Sequence, residues 1–381
     1  MPLVTKRTQK AERAPEERTR QWLYGLITLL VLLAGFTYLS FYSNLFSYEY
    51  RSEAAGDSVF IPLPKLDKAA YDGRLLALAH LATSSPAAIR WLAAMNATTS
   101  VATSTGKLPL WPMKTVYPEA GAILPFHRVV AYYGNFYSAQ MGVLGEYPPD
   151  QVLAMLASTT AVWAAADPST PVIPAIQYIA VVAQGAAGKD GKYRARMPDE
   201  EIDKALAMAD EIHGLLILDV QVGKSDLPAE LPLLKRYLAM PQVELAIDPE
   251  FSMKYGNPPG TVIGTYDASD VNYAADYLAS LVDEYHLPPK VLIVHRFTED
   301  MVTNYRNIHP LPEVEIVMDM DGWGSQAKKK GTYNAVIYSE PVQFTGIKLF
   351  YKNDLRPPST GLLTPAQVLD LTPSPIYVQY Q

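Results

Sequence analysis

The chain has 381 residues, 32 Lys and Arg against 39 Asp and Glu, a net charge of −7 and no cysteine. This composition excludes disulfides, thiolate metal sites and a cysteine nucleophile. It argues against nucleic acid and other polyanions as partners, because phosphate binding needs clustered Lys and Arg that the part beyond residue 42 does not show. With 49% hydrophobic residues, the chain is long enough to bury a core that needs no covalent staple.

Residues 1–21 form a basic tail with Lys6, Arg7, Lys10, Arg13, Arg18 and Arg20. Residues 22–42 follow as an uncharged, mostly apolar run with Trp22 and Tyr24 at one end and Phe41 and Tyr42 at the other. About 20 such residues span a bilayer, and aromatic residues favour its interfaces. The basic flank keeps the N-terminus cytoplasmic, which predicts a single-pass cell-membrane protein whose remaining chain is extracytoplasmic. A cleaved signal peptide shares this order, but its apolar core is only about 7–15 residues long and ends at small residues. The bulky stretch from Tyr38 to Tyr48 favours an uncleaved anchor, with the lipid bilayer as partner.

Residues 43–120 read as a stalk rich in Ser, Ala, Thr and Pro. Within it, Leu75, Leu76, Leu78, Leu81, Ile89, Leu92 and Met95 have helical spacing, broken at Pro86. These helices pack either on the main domain or on a partner, for example another membrane protein. Asn96-Ala-Thr98 matches a glycosylation sequon, meaningful only where that pathway exists.

From residue 121 to 381, β-rich runs alternate with helical patterns. Strands are predicted at 128–134, 172–182, 215–221, 243–248, 290–296, 314–319, 335–338 and 346–351. Helices are predicted at 149–166, 198–213, 231–239 and 267–285. Eight strand–helix units in one domain suit a (β/α)8 TIM-type barrel better than an open doubly wound sheet. The barrel is expected to be irregular at its last units, since no helix fits between the final two predicted strands.

Polar residues near the ends of these strands carry the functional signal. Alternation with period two puts Asp219 and Gln221 on one face, Glu244, Asp248 and Glu250 on another, then His295, then Glu315, Asp319 and Asp321. Gln177, Lys348 and Tyr351 are expected to point the same way. In a barrel these ends converge on one mouth, where catalytic groups sit. A single such Asp is equally well a helix cap and a single His a satisfied core residue, so the weight lies in their coincidence.

The neighbouring loops are aromatic and Gly-rich, with Tyr132, Tyr133, Tyr137, Phe251, Tyr255 and Trp323. Flat rings beside carboxylates suit a sugar, whose C–H faces stack while its hydroxyls hydrogen-bond. A polysaccharide or glycan is therefore the expected ligand, with Tyr132, Tyr133, Gln177, Asp219, Gln221, His295, Trp323, Lys348 and Tyr351 as its contacts. Hydrolysis would use a pair drawn from Asp248 or Glu250 and Asp319 or Asp321. Asp248, leaving an apolar strand, is the expected acid/base.

No cofactor is expected. Gly185-Ala-Ala-Gly-Lys189 lacks the spacing of a phosphate loop, and there is no Gly-x-Ser-x-Gly elbow. The spacings of a dedicated zinc or iron site are also missing, although His295 with Asp219 and Asp248, or calcium among the carboxylates, leaves a cation open.

The blocks Val130–Gly134, Gly142–Glu146, Ile247–Glu250, Ile293–Val302 and Met318–Gly322 resemble those of exported, membrane-attached actinobacterial-type proteins of the lipoprotein kind and, more distantly, of barrel glycosidases. That resemblance, spread over about 120–355, implies a barrel and an extracytoplasmic address but transfers no activity. The chain departs from the lipoprotein pattern because a spanning helix replaces the lipidated Cys. Two functions follow: a surface glycoside hydrolase, or a non-catalytic glycan-binding or structural subunit of an envelope assembly.

Overall fold

The structure, a computed structural model, describes residues 65–96 and 107–381. The basic tail, the expected spanning helix 22–42 and the sequon's Thr98 lie outside the described residues, among which no helix is long and apolar enough to cross a membrane.

Eight parallel strands close into a barrel: β1 (Arg128–Gly134), β2 (Val172–Ala183), β3 (Leu215–Val220), β4 (Val243–Ile247), β5 (Lys290–Arg296), β6 (Val314–Met320), β7 (Phe344–Leu349) and β8 (Tyr377–Tyr380). Each pairs with its sequence neighbours, and β1 closes the ring by pairing β2 from Arg128↔Val172 and β8 from Val129↔Tyr377. This is the (β/α)8 architecture. All-parallel strands are covered on both faces, which is why these runs are largely apolar, with the carboxylates and His295 on the interior period and buried Arg128, Lys290 and Arg296 on the outward one.

Two corrections concern the last units. The run Ala335–Tyr338 is not a strand; it ends a helix that starts at Gln326 and widens over Tyr333–Tyr338, seating Tyr333, Val336 and Ile337 in the core. The eighth strand is instead Tyr377–Tyr380, hidden from sequence reading by the Pro-containing segment before it. The expected irregularity is real but sits elsewhere as well: between β5 and β6 there is no α-helix, only 3-10 turns at Glu299–Met301 and Tyr305–Asn307 and a two-residue strand, Val302–Thr303, that pairs with Tyr266–Asp267. Between β7 and β8 there are a 3-10 turn at Asn353–Leu355 and a short α-helix, Pro365–Leu369.

The other crossovers carry helices with clear local causes. Pro149–Ala166 starts with Pro in its first turn and buries Val152, Leu153, Leu156 and Trp163 at helical spacing. Ala268–Tyr285 is opened by Asp267, which accepts from Ser269 N–H while Asp270 accepts from the Asp267 N–H in return. These helices bury one apolar stripe each against the outward side chains of the strands.

Helices Lys68–Leu78 and Pro86–Asn96 cover the N-terminal end of the barrel. Tyr71, Leu75, Leu76, Ala88 and Trp91 join Val129, Leu215, Val291 and Ile376 in one buried cluster that fills its lower interior. Glu315 tethers this floor, its carboxylate accepting the backbone N–H groups of Ile123 and Leu124 at 2.9 and 3.0 Å. With the bottom sealed, the interior opens only toward the strands' C-terminal ends.

Candidate active site

The inward period of the strands builds two polar tiers in the upper barrel. The lower tier centres on His295 of β5, which is fully buried. Its Nε2 lies 2.9 Å from Asp219 Oδ2 of β3, and its Nδ1 lies 3.1 Å from Asp319 Oδ2 of β6. Gln177 of β2 donates to Asp219 Oδ2 at 2.7 Å and accepts from the Tyr377 hydroxyl of β8. Burial opposes a charge on His295, but Asp219, Asp319 and Asp321 outweigh it and hold the ring's pKa well above the usual imidazole value. An imidazolium donating from both nitrogens thus bridges two buried carboxylates.

The upper tier lines the mouth. Gln221 donates to Asp248 Oδ2 at 3.2 Å and to the Tyr133 hydroxyl at 3.3 Å, and its own oxygen accepts the Ala183 N–H at 3.1 Å. Asp248, which follows β4, uses its other oxygen to accept the Glu250 N–H at 3.0 Å. One carboxylate oxygen each from Asp248, Glu250 and Asp321 all lie within 4.8 Å of one another. Asp321 Oδ2 is 3.7 Å from His295 Nδ1, while its Oδ1 has no hydrogen-bond partner among the described residues.

Three carboxylates this close cannot all ionise cheaply. Burial, with the charges of Glu250 and Asp321 adding and His295 opposing, raises the Asp248 pKa well above the carboxylate range. Burial and then the charge of Asp321 push Glu250 up to about 7. Asp321 is also raised by burial, with His295 and Lys348 pulling it back. Such a cluster can share protons or share a hard cation. The positive charges of His295 and Lys348 already face it; they offset part of the carboxylates' mutual repulsion and disfavour a further cation.

The cluster opens into a cleft of about 410 Å³, walled by Tyr133, Phe251, Phe297, Trp323 and Phe350. Among the residues expected at the site, Tyr133, Gln221, Asp248, Glu250, Asp321, Trp323 and Lys348 line this cleft. Gln177, Asp219, His295 and Asp319 lie beneath it, each fully buried in the lower tier. Tyr132 and Tyr351 do not face the cleft. Tyr132 points out of the barrel, its hydroxyl 2.7 Å from Thr159 Oγ1 and 2.9 Å from the Tyr351 hydroxyl, because its position on β1 has the opposite parity to Tyr133. Sequence reading missed Met141, Phe297, Lys328 and Phe350. Phe297 and Phe350 each come directly after the last residue of a strand, a signal usable only once the strand ends are known.

No family model matches the chain, and no curated protein does. Several solved structures are similar at low identity. The Clostridial cellulose synthase subunit Z (CcsZ) from Clostridioides difficile shares 8% identity with a TM-score of 0.34, covering 67% of this chain and 91% of that one. A ruminal GH26 endo-beta-1,4-mannanase shares 10% with a TM-score of 0.32, over 67% of this chain and 59% of that one. CcCel6C, a glycoside hydrolase family 6 enzyme from Coprinopsis cinerea, shares 10% with a TM-score of 0.24, over 58% and 60%. At these values the likeness transfers no activity.

Proposed function

We propose that this barrel is a glycoside hydrolase in which Glu250 is the proton donor and Asp321 the second carboxylate. The observation that carries this reading is the carboxylate cluster of Asp248, Glu250 and Asp321, within 4.8 Å, at the base of an aromatic-walled cleft. A protonated Glu250 gives its proton to the glycosidic oxygen as that bond breaks. Asp321 attacks the anomeric carbon to form a glycosyl ester, and the Glu250 carboxylate then activates the water that hydrolyses it. Carboxylate oxygens no more than 4.8 Å apart leave no room for a water between them and the sugar, so the reading is a retaining reaction.

The acid moves from Asp248 to Glu250 in this assignment. Both Asp248 oxygens already accept hydrogen bonds, from Gln221 and from the Glu250 backbone, which makes Asp248 a support for the loop that carries Glu250. Asp319, wholly buried and turned to His295, gives way to Asp321 as the second carboxylate. We also propose that residues 22–42 hold the barrel on the outer side of a membrane; resistance of the full chain to alkaline extraction tests that reading.

The deciding experiment is turnover by the full chain in detergent on a panel of envelope and plant polysaccharides, beside Glu250→Gln and Asp321→Asn. Hydrolysis that both substitutions abolish supports the assignment. Binding with no turnover by the unsubstituted chain replaces it with the glycan-binding subunit, and silence across the panel removes the carbohydrate reading.

A further inference from the structure

Lys348 of β7 is 4% exposed yet lines the cleft, its amine 3.7 Å from the centre of the Tyr133 ring and 5.2 Å from that of Phe350. Among the described residues no carboxylate comes within ion-pair distance of that amine and none of their polar atoms hydrogen-bonds it, although its charge is felt by Asp321 and Glu250. An amine that reaches an aromatic-walled cleft with no ion-pair or hydrogen-bonding partner gains most from a ligand that brings an opposite charge. Nothing in a neutral sugar would supply the charge.

The rim repeats the pattern. Trp323, 46% exposed, is flanked by Lys328 at 4.9 Å and Arg356 at 5.4 Å, both exposed and neither in an ion pair with a described carboxylate. Lys329 and Lys352, by contrast, are engaged with Asp354 and Glu146. Positive groups free of carboxylates thus run from the rim at Trp323 to the base of the cleft at Lys348, in a protein of net charge −7.

We infer that the glycan taken by this cleft is acidic: a hexuronic-acid unit places its carboxylate on Lys348, and further acidic units along the chain meet Lys328 and Arg356. A planar monoanion suits one deep amine, since a dianionic phosphate would stand closer to repulsion from Asp321 and Glu250. The inference rests on the glycan reading above and runs against the expectation, drawn from overall charge, that argues against polyanions as partners.

The test is calorimetric binding of hexuronic-acid oligosaccharides and their carboxyl-reduced counterparts to the full chain in detergent, with no turnover required. The acidic form is expected to bind at least about tenfold tighter, with a preference that salt weakens. Lys348→Met is expected to remove most of that preference by weakening the acidic form far more than the reduced form. Lys328→Gln with Arg356→Gln, two exposed positions that leave the core untouched, is expected to remove a smaller part. Equal affinity of the unsubstituted chain for both forms, or a Lys348→Met variant that weakens both alike, overturns the inference. Acid preference without hydrolysis keeps it while overturning only the enzyme assignment, and failure of both forms to bind overturns both.

Discussion

His295 Nε2 lies 2.9 Å from Asp219 Oδ2, with both side chains shut inside the barrel at 1% and 0% exposure. The same ring holds Asp319 through its other nitrogen, so one imidazolium neutralises two carboxylates that have no access to water. Replacing it with an apolar residue of similar size strands both charges. His295→Phe is expected to cost about 3–5 kcal/mol in urea unfolding, the usual effect of breaking a buried pair by removing one partner. A cost below about 1 kcal/mol would mean that the ring carries no charge in the folded protein.

The same pair makes a statement about pH. A histidine with a raised folded-state pKa contributes stability fully below its unfolded pKa, about 6.5, and loses it as pH rises through the folded value, which here lies well above. The His295 contribution is therefore whole below about 6.5 and is lost progressively as pH rises from there toward the folded value.

Glu250 works in the opposite direction. Its pKa, pushed up to about 7 by burial and Asp321, means the folded state keeps a proton that the unfolded chain releases near 4.3. Stability should fall as pH rises from about 4.5 to 7, and Glu250→Gln should remove part of that slope. Glu244, also raised to about 7, supplies a share that remains in the variant. Melting temperatures of the two proteins across that window check the sign.

In catalysis the Glu250 proton must be present and Asp321 must be ionised. The rate is expected to decline as pH rises through about 7, and this limb should vanish with Glu250→Gln. The remaining activity should be lower by a factor of about 10² to 10⁴, with unchanged unfolding at acid pH. An alkaline limb that survives the substitution would reassign the acid to Asp248.

Gly346 of β7 has no room for a side chain. A Cβ there would lie 2.6 Å from Asp319 Oδ1 and 2.8 Å from Tyr377 Cδ1, both members of the lower tier. Gly346→Ala is expected to cost about 1–3 kcal/mol through overpacking and to lower activity by displacing Asp319 and, through His295, Asp321. Unchanged stability would show that the tier can relax.

The strands from Arg128–Gly134 to Val314–Met320 were legible because a parallel barrel needs long β-branched and aliphatic runs with polar residues on one period. That same period assembled Asp219, Asp248, His295 and Asp319 from four separated segments. The failures have physical causes too. Ala335-Val-Ile-Tyr338 has the composition of a strand, but helical spacing of Tyr333, Val336 and Ile337 onto the barrel prevailed over local preference. Tyr132 and Tyr133 are chemically alike, and only their parity on β1 sends one into the cleft and the other into the helix layer.

By itself, then, the amino-acid sequence determined the barrel, the set of polar residues that face its interior and the absence of any cysteine chemistry, because these depend on periodicity and composition along the chain. Tertiary structure decided how that set divides. Burial depth and partner geometry, which no spacing encodes, placed Asp319 and Asp219 under His295, put Asp321 beside Glu250 and Asp248, and left the Lys348 amine facing the cleft with no described carboxylate within ion-pair distance.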